Sequence, residues 1–403
     1  YHAQVAAWLE AHAGERLGEY LGVIAGHYEL AGERVQAAEY LRRSGEELHQ
    51  VGAYRGAAAA FERALALHPP EGGPGLANVM IWLGRTLKQL DDYPVAVGHL
   101  EEGLALARAD GERRLEAAAL YELGDIAWRR GDYETAEGGQ QASLKAARAC
   151  GDLRAEALAQ AGLCAVAYKR GEWEEATARA ESSRALNERV GNRAGVAGAA
   201  NLLGIVAHLQ GDQERSAQHV AESLEIMQEV GDLRGTAYAL YYLGIAALER
   251  DRLEEARTYF EQALGMYEEC GLRLGAAVGR LNLGAVSIKQ GLNEAAWQTL
   301  RQVLMEARAM DVVPLTLCAV AHVAQLYAGA GEMVRAAELS GLVLRHPQGH
   351  SEACREAEPV EAEVREALAA EEVEAAMARG AGLDLDDVVE EILGAAVGPS
   401  GSG

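Results

Sequence analysis

One constant interval governs this chain. Gly111, Gly151, Gly191, Gly231, Gly271 and Asp311 stand forty residues apart, and a second series at the same interval runs through Gly131, Gly171, Gly211, Asp251, Gly291 and Gly331. A residue that stops a helix in the left-handed backbone conformation is most cheaply glycine, with Asn or Asp next, so each series marks the end of one class of helix. A chain punctuated in this way folds as a stack of two-helix hairpins.

The text between the stops keeps the same register. Leu83, Leu123, Leu163, Leu203, Leu243, Leu283 and Val323 form an apolar row in the first helix of each pair, and the next residue is small: Gly84, Gly124, Cys164, Gly204, Gly244, Gly284 and Ala324. The second helix offers another small row at Ala96, Ala136, Ala176, Ser216, Ala256, Ala296 and Ala336. Small side chains at a fixed register mark close helix approach. In the unit that starts at Gly111, the apolar face of the first helix runs through Leu115, Ala119, Leu123 and Ile126, and Asp132 is placed to cap the second. Val, Ile and Thr are too scattered for the alternating runs that a sheet requires.

This Leu-Gly, Gly-Asp-Tyr, Ala order resembles the tetratricopeptide repeat, and the forty-residue version resembles the repeats of MalT-like sensor domains. The fold class that follows is all-α: a right-handed superhelix of about seven hairpins over residues 76–350, with helical caps at 1–75 and 351–397. Both caps add to the resemblance. IAGHYELAGERVQAAEYL, with His27, Tyr28, Gly32, Ala37, Ala38, Tyr40 and Leu41, resembles the segment after the winged helix of bacterial STAND-type signal-transduction ATPases. The closing text around Arg379 and Asp384 to Val389 resembles the C-terminus of the same proteins. The resemblance implies a cytoplasmic sensor domain that binds an inducer and controls an upstream nucleotide-dependent ATPase module. The alternative is a constitutive scaffold for protein partners.

Composition narrows the function classes. The formal charge of −24 opposes direct contact with nucleic acid or anionic lipid, and no apolar run reaches the length of a membrane span. The five cysteines form no CxxC pair, so neither a disulfide framework nor a zinc site is expected. His346, His350 and Cys354 are spaced four apart, but Pro347 and Gly349 break the helix that would align them. Phosphate-loop, GxSxG and HExxH patterns are absent and no cofactor motif is present, which reads as a non-enzyme. The glycine-rich stretch Gly72 to Gly75 reads as a loop between subdomains. Tyr1 opens without a methionine or a signal-peptide pattern, and GPSGSG at 398–403 reads as a flexible tail or an appended scar.

In tetratricopeptide stacks the first helices line the concave face, and the resemblance places the inward positions two residues before, two after and five after the repeat leucine. Those rows gather Arg85, Lys88, Tyr121, Asp125, Trp128, Tyr168, Asn201, His208 and Tyr241, with Arg129, Lys169 and Tyr238 beside them. Aromatic walls with a few convergent polar groups describe a ligand pocket. Cationic residues in an acidic chain favour an anionic group on the ligand, which is expected to be a small molecule, a peptide or a protein; the alternative is that they pair with Asp125 or reach to water.

Overall fold

A computed structural model describes residues 1–69, 73, 75–348, 351–395 and 397–399. Among them every regular element is helical. Four helices come first: α1 (His2–His12), α2 (Leu17–Ala31), α3 (Arg34–Gln50) and α4 (Tyr54–Leu67), with one 3-10 turn at Gly14–Arg16. Seven hairpins follow. They are α5 (Leu76–Gln89) with α6 (Tyr93–Ala109), α7 (Arg113–Arg129) with α8 (Tyr133–Cys150), α9 (Leu153–Lys169) with α10 (Trp173–Arg189), and α11 (Arg193–Leu209) with α12 (Gln213–Val230). Then come α13 (Leu233–Glu249) with α14 (Leu253–Glu269), α15 (Arg273–Lys289) with α16 (Asn293–Ala309), and α17 (Val313–Gly329) with α18 (Met333–Arg345). The chain closes with α19 (Ser351–Ala367), α20 (Ala370–Gly380) and α21 (Leu385–Gly394).

Both punctuation series take the expected conformation. Their ten glycines have positive φ, as do Asp251 (56°) and Asp311 (55°), and Asp91 (59°) adds one earlier member to the second series. The residue after each stop reaches back five positions: Asp132 donates to the Ala127 carbonyl at 2.9 Å and Asp152 to Ala147 at 3.0 Å. These bonds satisfy carbonyls that a helix end leaves orphaned. Asp212 and Asp232 then cap the next helix, accepting from the Arg215 and Gly235 amides at 3.1 and 2.9 Å.

The small row in the first helices is explained by what faces it. A Cβ on Gly84 would lie 2.5 Å from Leu100, one on Gly204 2.8 Å from Val220, and one on Gly244 2.5 Å from the Phe260 ring. On Gly124 it would meet Gln140 at 2.8 Å. Each partner stands sixteen residues later. Sixteen residues after Cys164, the one medium-sized member, stands the small Ala180, and both belong to one buried cluster. The two helices of a hairpin therefore share one fixed volume between a pair of positions.

Close contacts divide the chain into two units: Tyr1–Ile126 with Glu134–Gly162 and Cys270–Leu272, and Ala127–Tyr133 with Leu163–Glu269 and Arg273–Gly403. In the first, α1 to α6 pack in sequence order, and α8 lies on α7 through the Ser143 hydroxyl, which donates to the Ala117 carbonyl at 2.8 Å. In the second, each helix from α10 to α18 packs on its successor, but the last three do not continue the array. α19 packs on α17 and α18, α20 turns back onto α18, and α21 reaches α16. Gly341 and Gly380 allow that return, because a Cβ on either would come within 2.4 Å of a backbone oxygen of the other helix. Arg335 pairs with Glu391 at 2.6 Å and Arg379 with Glu338 at 2.9 Å along the seam. Of the tail at 398–403, only residues 398 and 399 are described; Gly72 and His350 also lie outside the described residues.

Candidate functional site

The inward residues form two clusters, one in each unit. In the first, α5 and α7 lie side by side and their facing residues are 37 apart, one period less about one helical turn. Arg85 Nε donates to Glu122 at 2.6 Å and Lys88 Nζ to Asp125 at 2.6 Å, with the second Glu122 oxygen 2.5 Å from Lys88. Arg85 also lies over the Trp82 ring at 4.5 Å, and Lys88 lies 5.7 Å from the centre of the Tyr121 ring. Burial pushes the Glu122 carboxyl up, but Lys88 and then Arg85 pull it down further, and it stays below the usual carboxylate range. The two cations are thus matched by two carboxylates on the protein itself. Glu122, one position from Tyr121 in the sequence, completes a balanced network that the inward rows alone do not show.

In the second unit the Trp128 indole N–H donates to the Ala165 carbonyl at 3.1 Å, again at a separation of 37. Trp128 meets Tyr168 edge to face at 6.4 Å, and the Lys169 ammonium stands 5.9 and 5.8 Å from the centres of those two rings. Such a contact attracts the cation through the ring quadrupoles. Tyr168 and Ile205 join one buried cluster, against which Trp128, Leu202 and Tyr242 pack. This apolar wall runs from the last turn of α7 across α9 and α11 to α13. Arg129 is half-buried at the end of α7.

Asn201 lies on α11 four residues before Ile205, hence on the same face. It is 5% exposed, and its Oδ1 has no hydrogen-bond partner. His208, one turn beyond Ile205, places Nε2 3.0 Å from Glu249 Oε1. Burial raises the Glu249 carboxyl, yet the His208 contact brings it below its ordinary value. Tyr241 leans on Phe260 of its own hairpin at 6.0 Å, while Tyr238 is 39% exposed and meets Tyr242 at 5.4 Å. Tyr241 also meets Tyr242 at 5.0 Å, and Tyr242 packs against the Tyr168 cluster. Tyr242 and Glu249 are not on the inward rows; their signals in the sequence are the Tyr-Tyr pair and an acid at the end of a first helix. Among the described residues no three His, Cys, Asp or Glu side chains are placed to hold a metal ion, and no helix is long and apolar enough to cross a membrane.

The tetratricopeptide repeat family matches residues 75–149, 153–229 and 196–269. No curated protein matches the sequence. Among solved structures, a Rap protein complexed with competence and sporulation factor is similar at 13% identity with a TM-score of 0.62, covering 88% of this chain and 99% of that one. The Rap conjugation gene regulator of plasmid pLS20, complexed with the Phr* peptide, gives 15% identity and a TM-score of 0.58 over 70% of this chain and 76% of that one. A STAND protein with a tetratricopeptide repeat sensor from Pyrococcus horikoshii gives 16% and 0.52 over 88% of this chain and 54% of that one. At such identities the likeness is one of fold. The hairpins within residues 75–269 match the tetratricopeptide repeat family, and the helical fold is similar to those of the Rap protein and of the STAND protein.

Proposed function

We propose that this chain is the ligand-sensing domain of a STAND-type regulator, and that a peptide inducer binds the first-helix face of the second unit to control an upstream ATPase module in the cytoplasm. The observation that carries the reading is Asn201. A buried carboxamide oxygen without a partner costs roughly 1–3 kcal/mol, a cost that a ligand N–H would offset once the side chains covering Asn201 move aside. It lies beside an aromatic wall with Lys169 at one end and the His208–Glu249 pair at the other. Extended peptide backbone supplies such N–H groups at regular intervals, and aromatic walls take its side chains. One of the similar structures is complexed with the Phr* peptide and another with competence and sporulation factor, and the first supports a peptide over a small metabolite. The anionic end of such a ligand is assigned to Lys169, which stands against the Trp128 and Tyr168 rings, and to Arg129 beside Trp128.

The test is a displayed peptide library panned on the chain, with selected peptides titrated calorimetrically against variants. Trp128→Ala is expected to weaken binding about thirtyfold, in keeping with roughly 2 kcal/mol for an aromatic anchor. Asn201→Ala should weaken it by about tenfold while leaving the melting temperature unchanged or raised, because it removes an unsatisfied polar group from the fold. Peptides indifferent to both changes would defeat the assignment. A scaffold would instead select whole protein partners, with small losses spread over many positions.

A further inference from the structure

Within the second unit, two turns far apart in the chain touch. The turn between α7 and α8 carries Arg130 and Gly131; that between α16 and α17 carries Asp311 and leads to Pro314. Arg130 Nη2 lies 2.5 Å from Asp311 Oδ2, across 181 residues of sequence. Next to it, a Cβ on Gly131 would come within 2.9 Å of Pro314 Cγ, so the two turns approach too closely for any side chain at 131. Met310 and Val312, on either side of Asp311 in the sequence, and Leu315 are buried.

The residue at 311 is itself informative. Its counterparts at 111, 151, 191, 231 and 271 are all glycine, whereas Asp311 holds a φ of 55° with a side chain present. Aspartate tolerates that conformation less cheaply than glycine, and here its carboxylate meets the one arginine that the facing turn presents. Both charged groups are about half exposed, 45% and 61%, and such pairs are weak and sensitive to salt.

We propose that this contact is a latch: the Arg130–Asp311 pair and the Gly131–Pro314 apposition hold the end of α7 against the start of α17, and the second unit opens there when the pair is broken. The latch lies beyond the ligand-binding reading and does not depend on it. Opening releases the turn that directly follows Trp128 and Arg129, so the latch and the aromatic wall share one helix end.

Hydrogen exchange on the full chain tests the proposal, using Asp311→Asn, Arg130→Gln and the double variant. Asn tolerates the left-handed conformation and keeps the shape while removing the charge. Asp311→Asn is expected to raise exchange roughly two- to fivefold in residues 127–133 as well as in 311–316, and about 0.5 M NaCl should do the same to the parent chain. The double variant should exchange no faster than either single one, because both remove the same interaction. Faster exchange confined to the altered turn, or effects of the two changes that simply multiply, would overturn the latch.

Discussion

Phe260→Ala lowers the unfolding free energy by about 3–5 kcal/mol, the usual loss for a buried aromatic ring, and adding Gly244→Cys to that variant restores part of it. The same Gly244→Cys change in the parent chain is destabilising, by about 1–3 kcal/mol, because its Cβ alone would lie 2.5 Å from the Phe260 ring. The reversal of sign follows from one shared volume: the double variant reproduces the Cys164 and Ala180 arrangement of the third hairpin. Urea denaturation of the four proteins measures it. If Gly244→Cys destabilises both backgrounds equally, the two positions do not share a volume and the small row owes its residues to something else.

Glu122→Gln is the second large effect. It leaves Lys88, whose side chain is 5% exposed, with half of its carboxylate partners, and breaking a buried pair in this way costs about 3 kcal/mol, the low end of the usual range because Asp125 stays in place. Removing charge on both sides, with Glu122→Leu and Lys88→Met together, should be far less damaging. The pH dependence has a definite sign. A carboxyl held below its ordinary value binds fewer protons folded than unfolded, so it stabilises the fold above the unfolded value near pH 4.3. That contribution is lost as the pH falls through the lower folded value. The difference in stability between parent and Glu122→Gln should therefore shrink on acidification below about pH 4; a difference that grew in acid would show that Glu122 is not the ionised partner of Lys88.

The helix stops were legible because a left-handed terminus leaves few residue choices, and the small row because helix contact leaves few sizes. The pairings across neighbouring hairpins were not, since they depend on lateral offset. Arg85 with Glu122, Lys88 with Asp125 and Trp128 with Ala165 all stand 37 residues apart, a shift that comes from how stacked helices slide past one another. A forty-residue period alone compares each residue with its equivalent, never with its neighbour. The sequence leaves Arg85 and Lys88 two fates, a ligand anion or a carboxylate such as Asp125, and the structure engages them with Glu122 and Asp125. The role of Asp311 was hidden for a similar reason: it reads as one more helix stop, and only the approach of a distant turn shows what its carboxylate does.

In an array where each hairpin touches only the next, the chain can peel from its end one hairpin at a time. The return of α20 onto α18 and of α21 onto α16 removes that option at the C-terminal end. To free the seventh hairpin, the chain must first lift a strap that also holds the sixth, through Arg335 to Glu391 and Arg308 to Glu390. The last two hairpins and the three helices after them thus melt as one block. Proteolytic loss of α21 alone would turn that block back into a zipper, open to stepwise fraying from its newly bared end.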